Sequence, residues 1–258
     1  MNRWTTLSVE LANQRNYLDQ LFKVYPAIPE TIRDIDKAKW DAVEQAFQAG
    51  DDKQLILALL CLKLFPVKDP YVAFLRRDVS AIDRNPGTIA RLCGRLREIG
   101  LDGIWERCSQ PKEMNRQIGP LFRNWLEKRT LGLQLRDKED FLADEDDAIL
   151  RGSDRELGAF AREHLNYVGD KGLDLVARIG GRYVIGEAKF LTDYGGHQKT
   201  QFNDALVLLR RDEADAVKVA ILDGVLYIRN NSSMYRALAG RRYNIMSALV
   251  LREYLHSL

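Results

Sequence analysis

The stretch Lys171-Gly172-Leu173-Asp174-Leu175-Val176-Ala177-Arg178-Ile179-Gly180-Gly181-Arg182-Tyr183-Val184-Ile185-Gly186-Glu187-Ala188-Lys189 decides how the chain is read. Two runs of β-branched and aliphatic residues flank Gly180-Gly181, and paired glycines accept the positive φ angles that a tight hairpin turn requires. With those glycines as the loop, Ile179 pairs with Arg182 and every later pair has residue numbers summing to 361, which sets Asp174 opposite Glu187. Opposed residues on antiparallel strands share a face, their Cβ atoms roughly 4.5–5.5 Å apart. Lys189, two residues past Glu187, joins them there. Two carboxylates and an amine are therefore expected at one place.

Like charges opposed on a sheet repel, and a bound divalent cation offsets that repulsion most directly. Carboxylate oxygens are the ligands Mg²⁺ prefers. The bland alternative is a solvated hairpin face on which Lys189 neutralises one carboxylate. Against it, Tyr183-Val-Ile-Gly-Glu-Ala-Lys-Phe190 is otherwise apolar and small, as befits a central strand.

The order Asp, hairpin, Glu-X-Lys resembles the PD-(D/E)XK nuclease superfamily. The longer run Gly186-Glu-Ala-Lys-Phe-Leu-Thr-Asp-Tyr-Gly-Gly-His-Gln198 is similar to type II restriction endonucleases in particular. The resemblance is strongest over about residues 150–258, and Leu173 stands where the superfamily's name has proline. It implies Mg²⁺-dependent, sequence-specific hydrolysis of double-stranded DNA that leaves 5′-phosphate and 3′-hydroxyl ends. It also implies that Asp174, Glu187 and the backbone carbonyl of Ala188 hold the metal, while Lys189 orients or helps deprotonate the attacking water. A helix just before the catalytic hairpin often adds a glutamate in such nucleases, which makes Glu163 a further catalytic candidate. Cutting both strands of a symmetric site implies a homodimer. A cognate DNA methyltransferase is implied as a functional companion, not a binding partner, in a prokaryotic cytoplasm.

At 258 residues with 46% apolar residues, the chain can bury a substantial core. No apolar run approaches the roughly 18–20 residues of a membrane span, and Met1-Asn-Arg-Trp-Thr-Thr6 lacks the regions of a signal peptide. Cys61, Cys93 and Cys108 fall in helical-looking segments without CxxC spacing, so they read as reduced, buried thiols and not as a zinc site. A net charge of +2 neither establishes nor excludes nucleic-acid binding.

The first half reads as helical. Apolar spacing predicts helices over Ser8–Val24, Pro29–Gly50 and Asp51–Phe65, and another from Asn85-Pro86 to a stop at Gly100. In the last, Arg91 and Arg95 lie one turn apart off the apolar stripe, a candidate phosphate-contacting surface whose alternative is a plain solvated face. The run Asn115-Arg116-Gln117 carries the side-chain types that read base edges, whereas Phe122 and Trp125 just after it read as core. The densely charged residues 136–154 suggest a solvated connection, which divides the chain into a helical subdomain over 1–145, possibly contacting DNA or a second copy, and a catalytic core over 146–258.

In that core, Ser153 caps a helix over Asp154–Tyr167, with Glu156 and Glu163 on its flank. After Lys189, Gly195-Gly196 opens a helix to about Arg210 whose first turn displays His197, Gln198, Lys199 and Gln201 as candidate DNA contacts, because helix N-termini favour phosphate. Val217–Ile228 reads as two strands around Asp223-Gly224, and Asn244–His256 as a closing helix. Phosphate-loop, dinucleotide, zincin and serine-hydrolase motifs are missing.

The expected fold is α/β, more loosely α+β: a mixed central sheet flanked by helices, with a helical N-terminal portion. Two other functions compete. One is a structure-specific repair or recombination nuclease, weakened by Phe202 where a recombination exonuclease would place tyrosine. The other is a non-catalytic DNA-binding protein in which Asp174, Glu187 and Lys189 form a structural ion pair.

Overall fold

A computed structural model describes residues 1–26, 33–110, 117–211, 213–239 and 243–258. Two compact units emerge, one of residues 1–27 and 113–258, the other of residues 28–112. The first contains helices α1 (Arg3–Ala12) and α2 (Tyr17–Val24). The second contains α3 (Lys37–Ala49), α4 (Asp52–Leu60), α5 (Pro70–Arg77), α6 (Ala81–Arg84) and α7 (Pro86–Cys108). The chain then returns to the first unit with α8 (Ile118–Glu127), α9 (Lys138–Ala143), α10 (Asp154–His164), α11 (Gly196–Arg210), α12 (Ser233–Ala239) and α13 (Ala248–Leu255).

Six strands lie side by side in chain order: β1 (Gln134–Arg136), β2 (Ala148–Leu150), β3 (Leu175–Ile179), β4 (Arg182–Leu191), β5 (Val217–Gly224) and β6 (Ile245–Met246). β1 is parallel to β2, β3 is antiparallel to both neighbours, and β4, β5 and β6 are parallel. This is the mixed sheet expected, flanked by helices. The hairpin has the expected register, from Ile179 opposite Arg182 to Leu175 opposite Gly186, with φ 53° at Gly180 and 73° at Gly181.

Both faces of the sheet are covered, which is why β3 and β4 are apolar nearly throughout. On one face Leu175, Ala177, Val184, Ala188 and Ile221 pack with Leu21 of α2, Phe122 and Trp125 of α8 and Leu251 of α13. On the other, Val176, Ile185, Leu191 and Leu222 meet Leu157 and Phe160 of α10 and Phe202 and Leu206 of α11. The 28–112 unit has its own core around Val43, Ile56, Leu59, Leu92 and Leu96.

The structure corrects several expectations. The chain does not divide near residue 146, because the charged run is no linker: it builds β1, α9 and β2 onto the sheet edge. Its acids are used there. Arg178, only 4% exposed, donates to the carbonyls of Phe141 and Asp146 and to the Asp144 carboxylate, and Asp147 accepts the Gly180 amide.

The expected helix over Ser8–Val24 is two helices, broken where the Asn13 side chain bonds the carbonyls of Val9 and Tyr227 and Asn16 takes φ 67°. Gly100 breaks α7 at φ 73°, but helix resumes and runs to Cys108. The helix expected from Pro29 begins at Lys37, capped by Asp36, and Pro29 lies outside the described residues. Asp223-Gly224 is not a hairpin turn. β5 already has parallel neighbours on both sides, so no returning strand could pair with it, and a 3₁₀ turn over Val225–Tyr227 follows. Ile245 belongs to β6, not to the closing helix, which starts at Ala248. Cys61 is exposed, unlike Cys93 and Cys108. No helix among the described residues is long and apolar enough to cross a membrane.

Candidate active site

Asp174 extends the hairpin ladder one step past β3, its amide donating to the Gly186 carbonyl at 2.9 Å. The pleat of β4 aligns Glu187 and Lys189 with Ile185 and Leu191, the residues that pack toward α10 and α11. There the Lys189 ammonium lies 2.8 Å from Glu187 Oε1 and 3.7 Å from Asp174 Oδ2. The Ala188 amide donates to Asp174 Oδ2 at 2.8 Å. Asp174 is 6% exposed and Glu187 9%, so this is a buried cluster and not a wet hairpin face.

Burial shapes its electrostatics. It pushes the Asp174 carboxyl above the ordinary carboxylate range, against the opposing pull of the Lys189 ammonium and the Ala188 amide. Burial also works against the charge of Lys189, but the Asp174 and Glu187 carboxylates more than offset it and hold the amine above its usual range. Lys189 is thus set as a donor and positive charge beside the carboxylates.

The donor set fits a hard divalent cation. Two buried carboxylates against one ammonium leave an excess of negative charge among oxygens. Among the described residues no group of three or more histidine, cysteine or acidic side chains gathers. A cation here would thus have few protein ligands, the pattern Mg²⁺ tolerates because it retains water and takes substrate phosphate oxygens.

The other residues singled out from the sequence have different surroundings. Glu163 is exposed and engages Lys138 at 2.7 Å and His164 at 3.5 Å. Glu156 completes a capping box with Ser153 at the start of α10. His197, Gln198, Lys199 and Gln201 do occupy the start of α11. Of these, Gln198 is buried and accepts the Thr192 amide at 3.2 Å, tying the helix to the end of β4, while His197 and Gln201 meet at 3.0 Å. Lys199 is exposed. Gln117 is buried at the head of α8, and Asn115 and Arg116 lie outside the described residues. Arg91 and Arg95 belong to the other unit, where each is ion-paired, with Asp69 and Glu98 respectively, both at 2.6 Å.

Three features near the carboxylates escaped the sequence reading. Gly119 in α8 approaches Asp174 so closely that a Cβ there would lie 3.3 Å from Oδ1. Arg123, one turn later, is ion-paired with Asp154 and lines with Asp174 a cavity of about 20 Å³. A glycine inside an amphipathic helix is the signal that could have exposed the first, since such glycines often mark close packing. The third is Asp223, in register with Phe190 and fully buried, which accepts from the hydroxyls of Tyr17, Tyr25 and Ser247 and from the Ala248 amide. Tyr25 in turn packs edge-on against Phe190.

The family model described as Tsp45I type II restriction enzyme matches residues 2–258. No curated protein and no solved structure matches the chain.

Proposed function

The chain belongs to the Tsp45I type II restriction enzyme family, and on that premise we propose that Asp174, Glu187 and Lys189 are its catalytic residues and Mg²⁺ its metal. Membership makes it a sequence-specific endonuclease whose substrate is DNA, of a class that generally needs divalent metal ions. The observation that carries the residue assignment is the Lys189 ammonium held between the two buried carboxylates on one face of the central hairpin.

Asp174 and Glu187, with the carbonyl of Ala188, would hold Mg²⁺ beside the scissile phosphate. Bound there, the ion supplies Lewis-acid polarisation of the phosphate and neutralises charge that develops on it. Lys189 donates to the attacking water or to a phosphate oxygen and offsets negative charge at the pentavalent stage. The water oxygen bonds to phosphorus in line with the bond to the 3′-oxygen, which breaks. The attacking water releases a proton to solvent and the leaving oxygen takes one up from it, so the products are a 5′-phosphate and a 3′-hydroxyl. Two copies related by a twofold axis would cut the two strands of a symmetric site. The enzyme would work in a prokaryotic cytoplasm beside a cognate methyltransferase that protects the host's own sites.

Incubation of the purified protein with unmethylated phage DNA tests the reading. Discrete fragments are expected with Mg²⁺ and none with EDTA, and their ends should ligate without prior phosphorylation. Cleavage that persists in EDTA, or ends that must be phosphorylated before ligation, would refute the metal and product assignments.

A further inference from the structure

Gly119 is the second residue of α8, has no left-handed φ, and precedes Pro120, whose ring disfavours helical backbone at a preceding residue that carries a Cβ. A second reason lies across the gap. A methyl group at this position would meet Asp174 Oδ1 at 3.3 Å, closer than ordinary van der Waals contact. The other oxygen of that carboxylate, Oδ2, is already held by the Ala188 amide at 2.8 Å, so the group has little freedom to retreat.

Asp154 joins both sides of this contact. Its carbonyl accepts the amide of Leu173 at 3.0 Å, fixing the backbone that presents Asp174. Its carboxylate pairs with Arg123, which lies one turn beyond Gly119 in α8. Gly119, Arg123, Asp154, Leu173 and Asp174 thus form a closed circuit of contacts between α8, the head of α10 and the start of the hairpin.

We propose that this circuit is a positioning clamp for Asp174, in which Gly119 provides the space for the carboxylate and the Arg123–Asp154 pair sets the distance of α8 from it. Neither Gly119 nor Arg123 touches the reacting atoms; both act through Asp174. The inference rests on the reading of Asp174 as a metal-holding residue. It adds that the metal affinity of this enzyme depends on α8.

The test compares wild type with Gly119→Ala, and with Gly94→Ala as control. Gly94 is also helical, and a Cβ there would meet nothing within 4 Å. Two quantities are measured: the Mg²⁺ concentration giving half-maximal DNA cleavage, and binding of Mn²⁺ to the protein followed by its paramagnetic resonance signal. Gly119→Ala is expected to weaken both by about tenfold, the scale of losses when the groups that orient a metal ligand are disturbed. Gly94→Ala should leave both unchanged. If Gly119→Ala melts well below wild type, Arg123→Ala and Arg123→Lys decide: alanine should weaken Mn²⁺ binding and lysine should largely restore it. Wild-type metal dependence in Gly119→Ala, or in Arg123→Ala where the first variant is unstable, overturns the clamp. A wild-type protein that neither cleaves DNA with Mg²⁺ nor binds Mn²⁺ instead overturns the assignment of Asp174 on which the clamp rests.

Discussion

Asp223 and Glu187 show how differently two acids on neighbouring strands can be used. Glu187 has a cation at 2.8 Å, whereas the buried Asp223 is surrounded by neutral donors, three hydroxyls and one amide. Burial pushes the Asp223 carboxyl up to about 6 despite those donors. Its native value is therefore above the unfolded one, so the stability it contributes is complete below the unfolded pKa of about 3.9 and is lost as pH rises through about 6. The difference corresponds to about 3 kcal/mol across that window. Urea titrations of wild type should show stability decreasing from pH 4.5 to 7.5, with Asp223→Asn showing a distinctly flatter profile. Asp223→Ala, which strands the donors of α2 and α13, should lose about 2–4 kcal/mol at neutral pH. A wild-type profile that rises over this range would contradict the assignment. The sequence made Glu187 legible because the hairpin register pairs it with Asp174. It misread Asp223, because Asp-Gly is also a strong turn signal and only the occupied edges of β5 exclude a turn.

Among the elements, the β3–β4 hairpin was the most legible, since a two-glycine loop and a period of two leave one register that keeps both faces apolar. The helical first half was also readable, although the break at Asn13–Asn16 was not, because it depends on a bond from Asn13 to the distant carbonyl of Tyr227. The charged segment over 136–154 was misjudged for a related reason. Its acids look solvated until Arg178 of β3 is set among them, with its guanidinium over the Phe141 ring at 4.6 Å. That arginine fastens β2 and α9 to the hairpin. Arg178→Ala would leave one buried and two part-buried acceptors without this donor, with Asp144 still paired to Arg136, and is expected to cost about 1–3 kcal/mol. Hydrogen exchange should then show faster exchange of the β1–β2 amides than of β4 and β5. Uniform protection across the sheet in that variant would mean that the edge does not depend on the arginine.

For the molecule as a whole, burial on both faces is what turns a short charge pattern into a chemical statement. On an exposed hairpin, Asp174, Glu187 and Lys189 would be a surface ion pair of little consequence. Beneath α10 and α11 the same three groups set one ammonium between two buried carboxylates and leave excess negative charge in a poorly solvated place. The division into units was the least legible feature. Residues 1–27 supply α1 and α2 to the sheet-containing unit, and a linear reading of composition gives no sign that a chain leaves one core and returns to it. The unit of residues 28–112 holds its arginines Arg84, Arg91, Arg95 and Arg97 in ion pairs with its own acids, so charge counts along the sequence overstated its free positive surface.

If the clustered Asp174, Glu187 and Lys189 cut DNA, removing the charge of Glu187 or Lys189 must slow cleavage without unfolding the protein. The most direct measurement is the rate of Mg²⁺-dependent cleavage of unmethylated DNA by Glu187→Gln and Lys189→Ala beside wild type, with the fold and DNA binding of each variant checked by circular dichroism and gel retardation. Folded variants that bind DNA but cut it at least about 10²–10³-fold more slowly are predicted, the scale on which a group stabilising transition-state charge acts. A folded Lys189→Ala or Glu187→Gln protein that cuts at the wild-type rate would mean that the cluster is not the catalytic centre.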